Sequence, residues 1–386
     1  MLPSANWTYP TAIRFGAGRI AELGEACARA GIARPLFVTD PGLRDLPITA
    51  RALGVLAAAG VEVTLFSEVQ PNPTDANVAA GLAALRDGGH DGVVAFGGGS
   101  ALDCGKVVAF MHGQTRPLWD FEDVGDRWTR ADPAGILPVV AVPTTAGTGS
   151  EVGRAGVITD RAAHTKKVIF HPRMIPAEVI LDPELTIGLP PLLTAGTGMD
   201  AFAHCLEAYA SPFFHPMAEG IAVEGIRLVR LYLPRAHRDG GDIEARGQML
   251  AAAAMGATAF QKGLGAIHAL SHPVGALYGT HHGLTNAVFM PYVLDFNREA
   301  LWDKIERLAA WLGIDGGFAG FLDDVLRLRR DLGIPHALDG LGIDADRFEA
   351  MAAMAVVDPT AGGNPRPLGI SDALELYRRA WDGRLG

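Results

Sequence analysis

The runs PLFVTD (35–40), GVVAFGGG (92–99) and GILPVVAVP (135–143) are apolar almost end to end. They lack the alternation of a strand that keeps one face in water. Together with VEVTLFSEV (61–69) they are separated by stretches of helical length: RDLPITARALGVLAAAG (44–60), TDANVAAGLAALRDGG (74–89) and SALDCGKVVAFMHG (100–113). Strands buried on both faces and joined by helices specify a parallel sheet covered on each side. After VILDPELTIGLPP (179–191) this rhythm stops, and long helical patterning follows, punctuated near GLPP, SPFFHP and GNPRP. The fold class predicted is therefore an α/β domain with a parallel sheet, over 1–183, and an all-α domain over 184–386. A chain of 386 residues is long enough for two cores. A cleft between two such domains is a common place for a ligand.

Composition removes several classes of function. The net charge is −10, and no cluster of five or more Lys and Arg occurs, so neither nucleic acid nor a membrane surface is expected as a partner. MLPSANWTYP lacks a basic stretch followed by an apolar one, and no apolar run approaches the roughly 20 residues that span a bilayer. Cys27, Cys104 and Cys205 lie far apart, which suits a reducing cytoplasm and argues against disulfides or a thiolate metal site.

Two loops carry the chemistry of the first half. In VVAFGGGSALDCGK (93–106) a strand runs into Gly97, Gly98 and Gly99, and Ser100 opens a helix. Without Cβ atoms, backbone N–H groups can approach an anion at the positive helix end, as a pyrophosphate requires. The plainer alternative is a tight turn capped by Ser100. Asp103 and Lys106, one turn apart, read as cofactor contacts or as a surface pair, with the surface reading preferred for Lys106. VPTTAGTGSEVG (142–153) again follows an apolar strand, and Thr144, Thr145 and Thr148 can bond a nicotinamide or ribose or else form a turn network. Asp40, ending a strand, can accept bonds from an adenosine ribose and repel a 2′-phosphate, favouring NAD; Asp-Pro is equally a good helix start.

The second half holds an ionisable cluster. Asp200 and His204 are four residues apart in TAGTGMDAFAHCLEAYAS (194–211), on one face of a helix. Glu207, three residues on, is a further candidate or a surface charge. Gly196 and Gly198 inside this helix point to close approach by another backbone or a ligand. GAIHALSHPVGALYGTHHG (265–283) repeats the spacing with His268 and His272, and His282 lies past a turn. One Asp and three His suit Fe²⁺ or Zn²⁺ and are poor for Mg²⁺ or Ca²⁺. Spacing alone leaves open which three of His204, His268, His272, His281 and His282 bind. It does not separate a dehydrogenase from a metal-dependent hydrolase.

The ordered set GGGSALDCGK, PTTAGTGSEV, GMDAFAHCLEAY and HALSHPVGALYGTHHGLTNAVFMPYVLDFN resembles the iron-containing (group III) alcohol dehydrogenase family, and the likeness runs from residue 9 through 377. The resemblance implies a nucleotide-binding domain and a helical domain in a dehydroquinate-synthase-like fold, with metal and nicotinamide in the cleft between them. It implies Asp200, His204, His268 and His282 as metal ligands, His272 as a proton relay and His281 as a bystander. It places Asp40 at the position tied to NAD preference and Asn72 near the adenine. Gly98, Gly99 and Ser100 match the pyrophosphate loop, Thr144 and Thr145 the nicotinamide loop, and Lys167 a basic residue at the nicotinamide ribose. Two departures stand out. Gly153 and Arg154 lie on the stretch that lines the substrate side, where an arginine can bind a carboxylate or phosphate or can point to solvent. Cys205 beside a ligand reads as small apolar filling.

The activity implied is reversible NAD-linked oxidation of a primary or small secondary alcohol. Fe²⁺, or Zn²⁺ in its place, would act as Lewis acid and His272 would carry the proton. The substrate is then a small alcohol or carbonyl, acidic if Arg154 binds it, and a homodimer is compatible with the resemblance. A dehydroquinate-synthase-like lyase and a non-catalytic nucleotide-binding protein are the rival readings. The first needs a phosphate-binding Lys and Arg set that is not apparent, and the second is disfavoured by the complete Asp-His-His-His set.

Overall fold

Every residue of β2 (Pro35–Val38), β4 (Gly92–Gly97), β5 (Val139–Pro143) and β8 (Glu178–Leu181) is buried. This is the packing their unbroken apolar sequences demand. In the computed structural model, which describes residues 9, 11–163 and 165–386, they form the middle of a six-stranded sheet. Its order is β1 (Ala12–Phe15), β8, β5, β4, β2, β3 (Thr64–Phe66), and every pairing is parallel. The edge strands β1 and β3 carry the exposed residues. VEVTLFSEV supplies only the three residues of β3, because at the edge it pairs with β2 alone. The one acid in the buried strands, Glu178, accepts from Arg14 Nε and Arg29 Nε, each at 3.0 Å.

Both faces of the sheet are covered. Val94, Phe96, Val140 and Val142 share a core cluster with Leu23 and Ala26 of α1 (Leu23–Arg29) and Ala52 and Leu56 of α2 (Pro47–Ala58). Burial of a large side chain such as Phe96 contributes about 1.5–3 kcal/mol. The intervening residues of β4 face the other way, toward α4 (Gly99–Met111), against which α3 (Asp75–Asp87) packs. A Cβ at Gly105 of α4 would come within 2.8 Å of Ala95 Cβ. β6 (Ala155–Asp160) and β7 (Thr165–Phe170) form a separate antiparallel ribbon. The chain leaves β2 toward one edge of the sheet and, after β4, builds toward the other. The strand order therefore reverses between β2 and β4, whose carboxyl ends lead to Asp40 and Gly97. Open α/β sheets bind ligands at such a point.

The chain divides into two units, Tyr9–Gly188, which holds this sheet, and Leu189–Gly386. The second is helical. α5 (Pro191–Ala210) is buried along almost its whole length and is packed by α6 (Pro216–Arg238), α7 (Ile243–Ala259) and α9 (His282–Phe296). α8 (Ala266–Tyr278) runs up to Gly279, a left-handed cap at φ 66°, and α9 begins three residues later. α10 (Arg298–Trp311), α11 (Gly317–Asp331), α12 (Phe348–Ala355) and α13 (Ile370–Asp382) complete the unit. The glycines of α5 do mark close approach. Gly198 meets Leu233, while a Cβ at Gly283 of α9 would stand 2.0 Å from the Gly196 carbonyl oxygen.

Candidate functional site

The site in the helical unit starts from the N-terminus of α8. Its cap residue, Gly265, has no side chain to offer the first free N–H groups. Asn364 accepts from Ala266 N at 3.2 Å, and Glu207 of α5 accepts from Ile267 N at 2.6 Å. The second Glu207 oxygen accepts from His268 Nδ1 at 2.5 Å. Glu207 is thus neither a ligand nor a surface charge. It is buried, caps α8 and fixes His268 with its Nε2 lone pair turned away from it. Burial alone opposes charge on His268. The carboxylates of Glu207, Asp200 and Asp358 outweigh it and hold its pKa above the usual imidazole value.

Asp200 and His204 project from the same face of α5. Asp200 Oδ1 lies 3.8 Å from His204 Nε2, 3.8 Å from His268 Nε2 and 3.5 Å from His282 Nε2. Donor atoms of Asp200, His204 and His268 all fall within 4.8 Å of one another, and all three residues are buried. The His204 and His268 rings stack at 4.8 Å. Asn286 of α9, which the sequence reading passed over, stands among them. Its Nδ2 reaches Asp200 Oδ1 at 2.8 Å, His282 Nε2 at 3.1 Å and His268 Nε2 at 3.3 Å. One amide nitrogen within 2.8–3.3 Å of a carboxylate oxygen and two imidazole nitrogens means that these three atoms gather about one point. A carboxylate and imidazoles converging in this way fit a divalent transition-metal ion. The available signal was spacing: Asn286 follows His282 by four residues.

The remaining histidines part company. His281 caps α9, accepting from Leu284 N at 3.4 Å, and burial lowers its pKa. His272 stacks on His282 at 5.3 Å, and its Nδ1 lies 2.8 Å from Asp358 Oδ2. Burial pushes the Asp358 carboxyl up, but hydrogen bonds from His272 and Thr360 more than offset it and hold its pKa below the ordinary value. Asp358 lies 86 residues from His272, and its local Asp-Pro signature reports only the cap of the turn that follows.

In the sheet unit the two loops lie against each other. Thr144 N donates to Gly97 O at 2.9 Å, and Cβ atoms at Gly98 and Gly99 would touch Thr145 and Thr148 respectively. Gly97 has φ 145°, a conformation that favours glycine, and lets the chain turn from β4 into α4. The cap of α4 is Gly98 rather than Ser100, and among the described residues no side chain caps the first N–H groups there. N–H groups free in this way can receive an anion or water. Asp40 serves its turn with one oxygen, accepting from Gly42 N and Leu43 N at 2.9 and 3.0 Å. Its other oxygen lies toward Gly97. Thr148 Oγ1 accepts from Ser150 N at 3.2 Å, the turn network foreseen as the alternative.

Lys106 is not at the surface. It is 1% exposed, donates to Ser150 O at 2.9 Å and to Ala155 O, and pairs with Asp103 at 3.3 Å. Asp103 in turn accepts from Ser150 Oγ at 2.5 Å and Val157 N at 3.0 Å. The pair ties α4 to the 150–157 segment, so Lys106 is not the surface charge expected, because it has backbone targets across the fold. Asn72 and Lys167 take no part in these contacts among the described residues. Asn72 adopts φ 54°, and Lys167 bonds Asp160 at 2.8 Å. Arg154 is half-buried, its guanidinium 5.4 Å above the Phe170 ring. Cys205 is fully buried, as apolar filling requires.

Residues 10–183 match the model of the iron-containing alcohol dehydrogenase family, and residues 194–381 match the C-terminal model of the Fe-containing alcohol dehydrogenase family. The chain is 41% identical to 4-hydroxybutyrate dehydrogenase of Cupriavidus necator over 381 residues, covering 96% of this chain and 97% of the other. It is 33% identical to the NAD-dependent methanol dehydrogenase of Bacillus methanolicus, covering 97% and 99%. The crystal structure of a 1,3-propanediol oxidoreductase superposes with a TM-score of 0.94 at 37% identity, over 98% of this chain and all of the other.

Proposed function

The chain belongs to the iron-containing alcohol dehydrogenase family, and from that premise we propose that it interconverts a small alcohol and its aldehyde or ketone with NAD and an ion held by Asp200, His204, His268 and His282. The observation that carries the reading is the gathering of Asp200, His268 and His282 about the point reached by Asn286 Nδ2, with His204 in one cluster of donor atoms with Asp200 and His268. When bound, a divalent ion supplies Lewis-acid polarisation of the substrate oxygen, and the nicotinamide supplies a hydride acceptor. The chain's own residues do the rest. Glu207 holds His268 in one tautomer, and the half-exposed His272 moves a proton between substrate and water. Gly97–Ser100 and the uncapped start of α4 receive the pyrophosphate, Thr144 and Thr145 the nicotinamide side, and Asp40 the adenosine ribose. We assign the ion as Fe²⁺; the same donors suit Zn²⁺, which has the higher intrinsic affinity.

A substrate bearing a carboxylate is supported by two features. One relative acts on 4-hydroxybutyrate, and Arg154 forms no ion pair among the described residues. A reducing cytoplasm is supported by three buried free thiols, and no described helix is long and apolar enough to cross a membrane.

The test is elemental analysis and NADH formation for the wild type and Asp200→Ala. Loss of both metal and turnover is expected, and unchanged metal content would defeat the assignment. NADH should form in proportion to alcohol consumed, whereas catalytic use of NAD would indicate a lyase. Across a panel of alcohols and hydroxy acids, acidic substrates should lose their advantage in Arg154→Ala. An equal preference in the two proteins would end the arginine assignment.

A further inference from the structure

The loop after α12 brings a carboxylate to His272 in a manner that constrains the ring. Asp358 caps the turn Pro359–Gly363, and its Oδ1 accepts from Thr360 N at 2.9 Å and Thr360 Oγ1 at 2.5 Å. The carboxylate cannot swing without losing its cap. Its Oδ2 is thereby held 2.8 Å from His272 Nδ1. The His272 ring is also stacked on His282 at 5.3 Å, so it is held at its edge by Asp358 and on its face by His282. An ionised carboxylate is acceptor-only, so the hydrogen in this contact resides on Nδ1.

We propose that Asp358 is a positioning residue for the reaction: it keeps His272 in the Nδ1–H tautomer, so that Nε2 presents the lone pair that takes up the proton released by the alcohol. In the forward direction that proton arrives on Nε2, the Nδ1–H bond to Asp358 stays intact, and Nε2 later passes the proton to water. The opposite tautomer would present an N–H where an acceptor is needed. The inference rests on His272 being the relay.

The geometry supplies a discriminating pair of variants. In Asp358→Asn the amide oxygen must stay on Thr360 N, since a backbone donor needs an acceptor. The amide NH₂ then faces His272 Nδ1 and imposes the Nε2–H tautomer. Asp358→Ala removes the partner but imposes neither tautomer. A merely structural role for Asp358 predicts the reverse ranking, because Asn keeps the cap and Ala does not.

The experiment measures kcat, KM and metal content for both variants and for His272→Ala. It also records ¹⁵N–¹H correlation spectra of ¹⁵N-histidine-labelled protein, metal-free and zinc-loaded, with His272 assigned by its absence from His272→Ala. The expected result is Nδ1–H in the wild type and Nε2–H in Asp358→Asn. kcat should fall about 10²–10⁴-fold in Asp358→Asn and less in Asp358→Ala, with KM and metal content retained. An unflipped tautomer in Asp358→Asn, or Asp358→Ala as the slower enzyme, overturns the proposal while leaving the relay intact. Full activity in His272→Ala brings down the relay itself and this proposal with it.

Discussion

Gly283→Ala tests how the metal donors are held. The added Cβ would lie 2.0 Å from Gly196 O, 2.8 Å from Gly196 C and 3.0 Å from Asp200 Cβ. Real Cβ atoms do not come closer than 3.0 Å, so about 1 Å must be made up. The obstacle is a carbonyl of α5, and no rotamer change relieves it. α9 must therefore move away from α5. Overpacking of this kind costs about 1–3 kcal/mol. At roughly 2–4 °C per kcal/mol for a unit of this size, Tm should fall by several degrees. The functional consequence is larger than the thermal one. His282 is the residue before Gly283, and its Nε2 is 3.5 Å from Asp200 Oδ1. Metal–ligand distances tolerate only about 0.2 Å, so a displacement several times that size should strip the ion. The assay pairs thermal melts with metal content per chain after gel filtration. The control is Gly220→Ala on α6, where a Cβ meets nothing within 4 Å; it should stabilise by up to about 1 kcal/mol. A Gly283→Ala protein with wild-type Tm and metal content would refute the claim that this glycine pair sets the α5–α9 spacing.

Further outcomes follow from the same geometry. Glu207→Gln keeps an acceptor for Ile267 N but turns an NH₂ toward His268 Nδ1, so metal affinity should fall about 10–100-fold in a chelator competition. Burial raises the Glu151 carboxyl from 4.5 to about 7, with its own backbone N–H and Lys106 offsetting only part of the rise. The folded state then binds the proton more tightly than the unfolded one. Its contribution is complete below pH 4.5 and is lost as pH rises to about 7, an effect of at most ~3 kcal/mol. Stability curves of Glu151→Gln should lack that slope, and a slope equal to the wild type would exclude Glu151 as its source. Burial also raises the thiols of Cys27, Cys104 and Cys205 to about 12. Native protein at pH 8 should resist iodoacetamide at all three, and rapid labelling of any one would contradict its burial.

The sequence by itself determined the sheet, because strands apolar at every position have no stable place except between two helical layers. It determined that Asp200 and His204 share a face, and likewise His268 and His272, because a helix repeats every 3.6 residues. Residue types limited the ion they suit. Dividing His268, His272, His281 and His282 among roles came from family resemblance rather than from spacing. What the tertiary structure decided are contacts between residues far apart in the chain. Glu207 reaches His268 across 61 residues, Asp358 reaches His272 across 86, and Lys106 bonds carbonyls 44 and 49 residues away. Each of these charges looks solvent-exposed when read against its neighbours in sequence. Each is buried or partly buried because a distant backbone donor, acceptor or imidazole meets it. Periodicity reports which face of an element a side chain occupies; only the packing of elements reports what stands opposite.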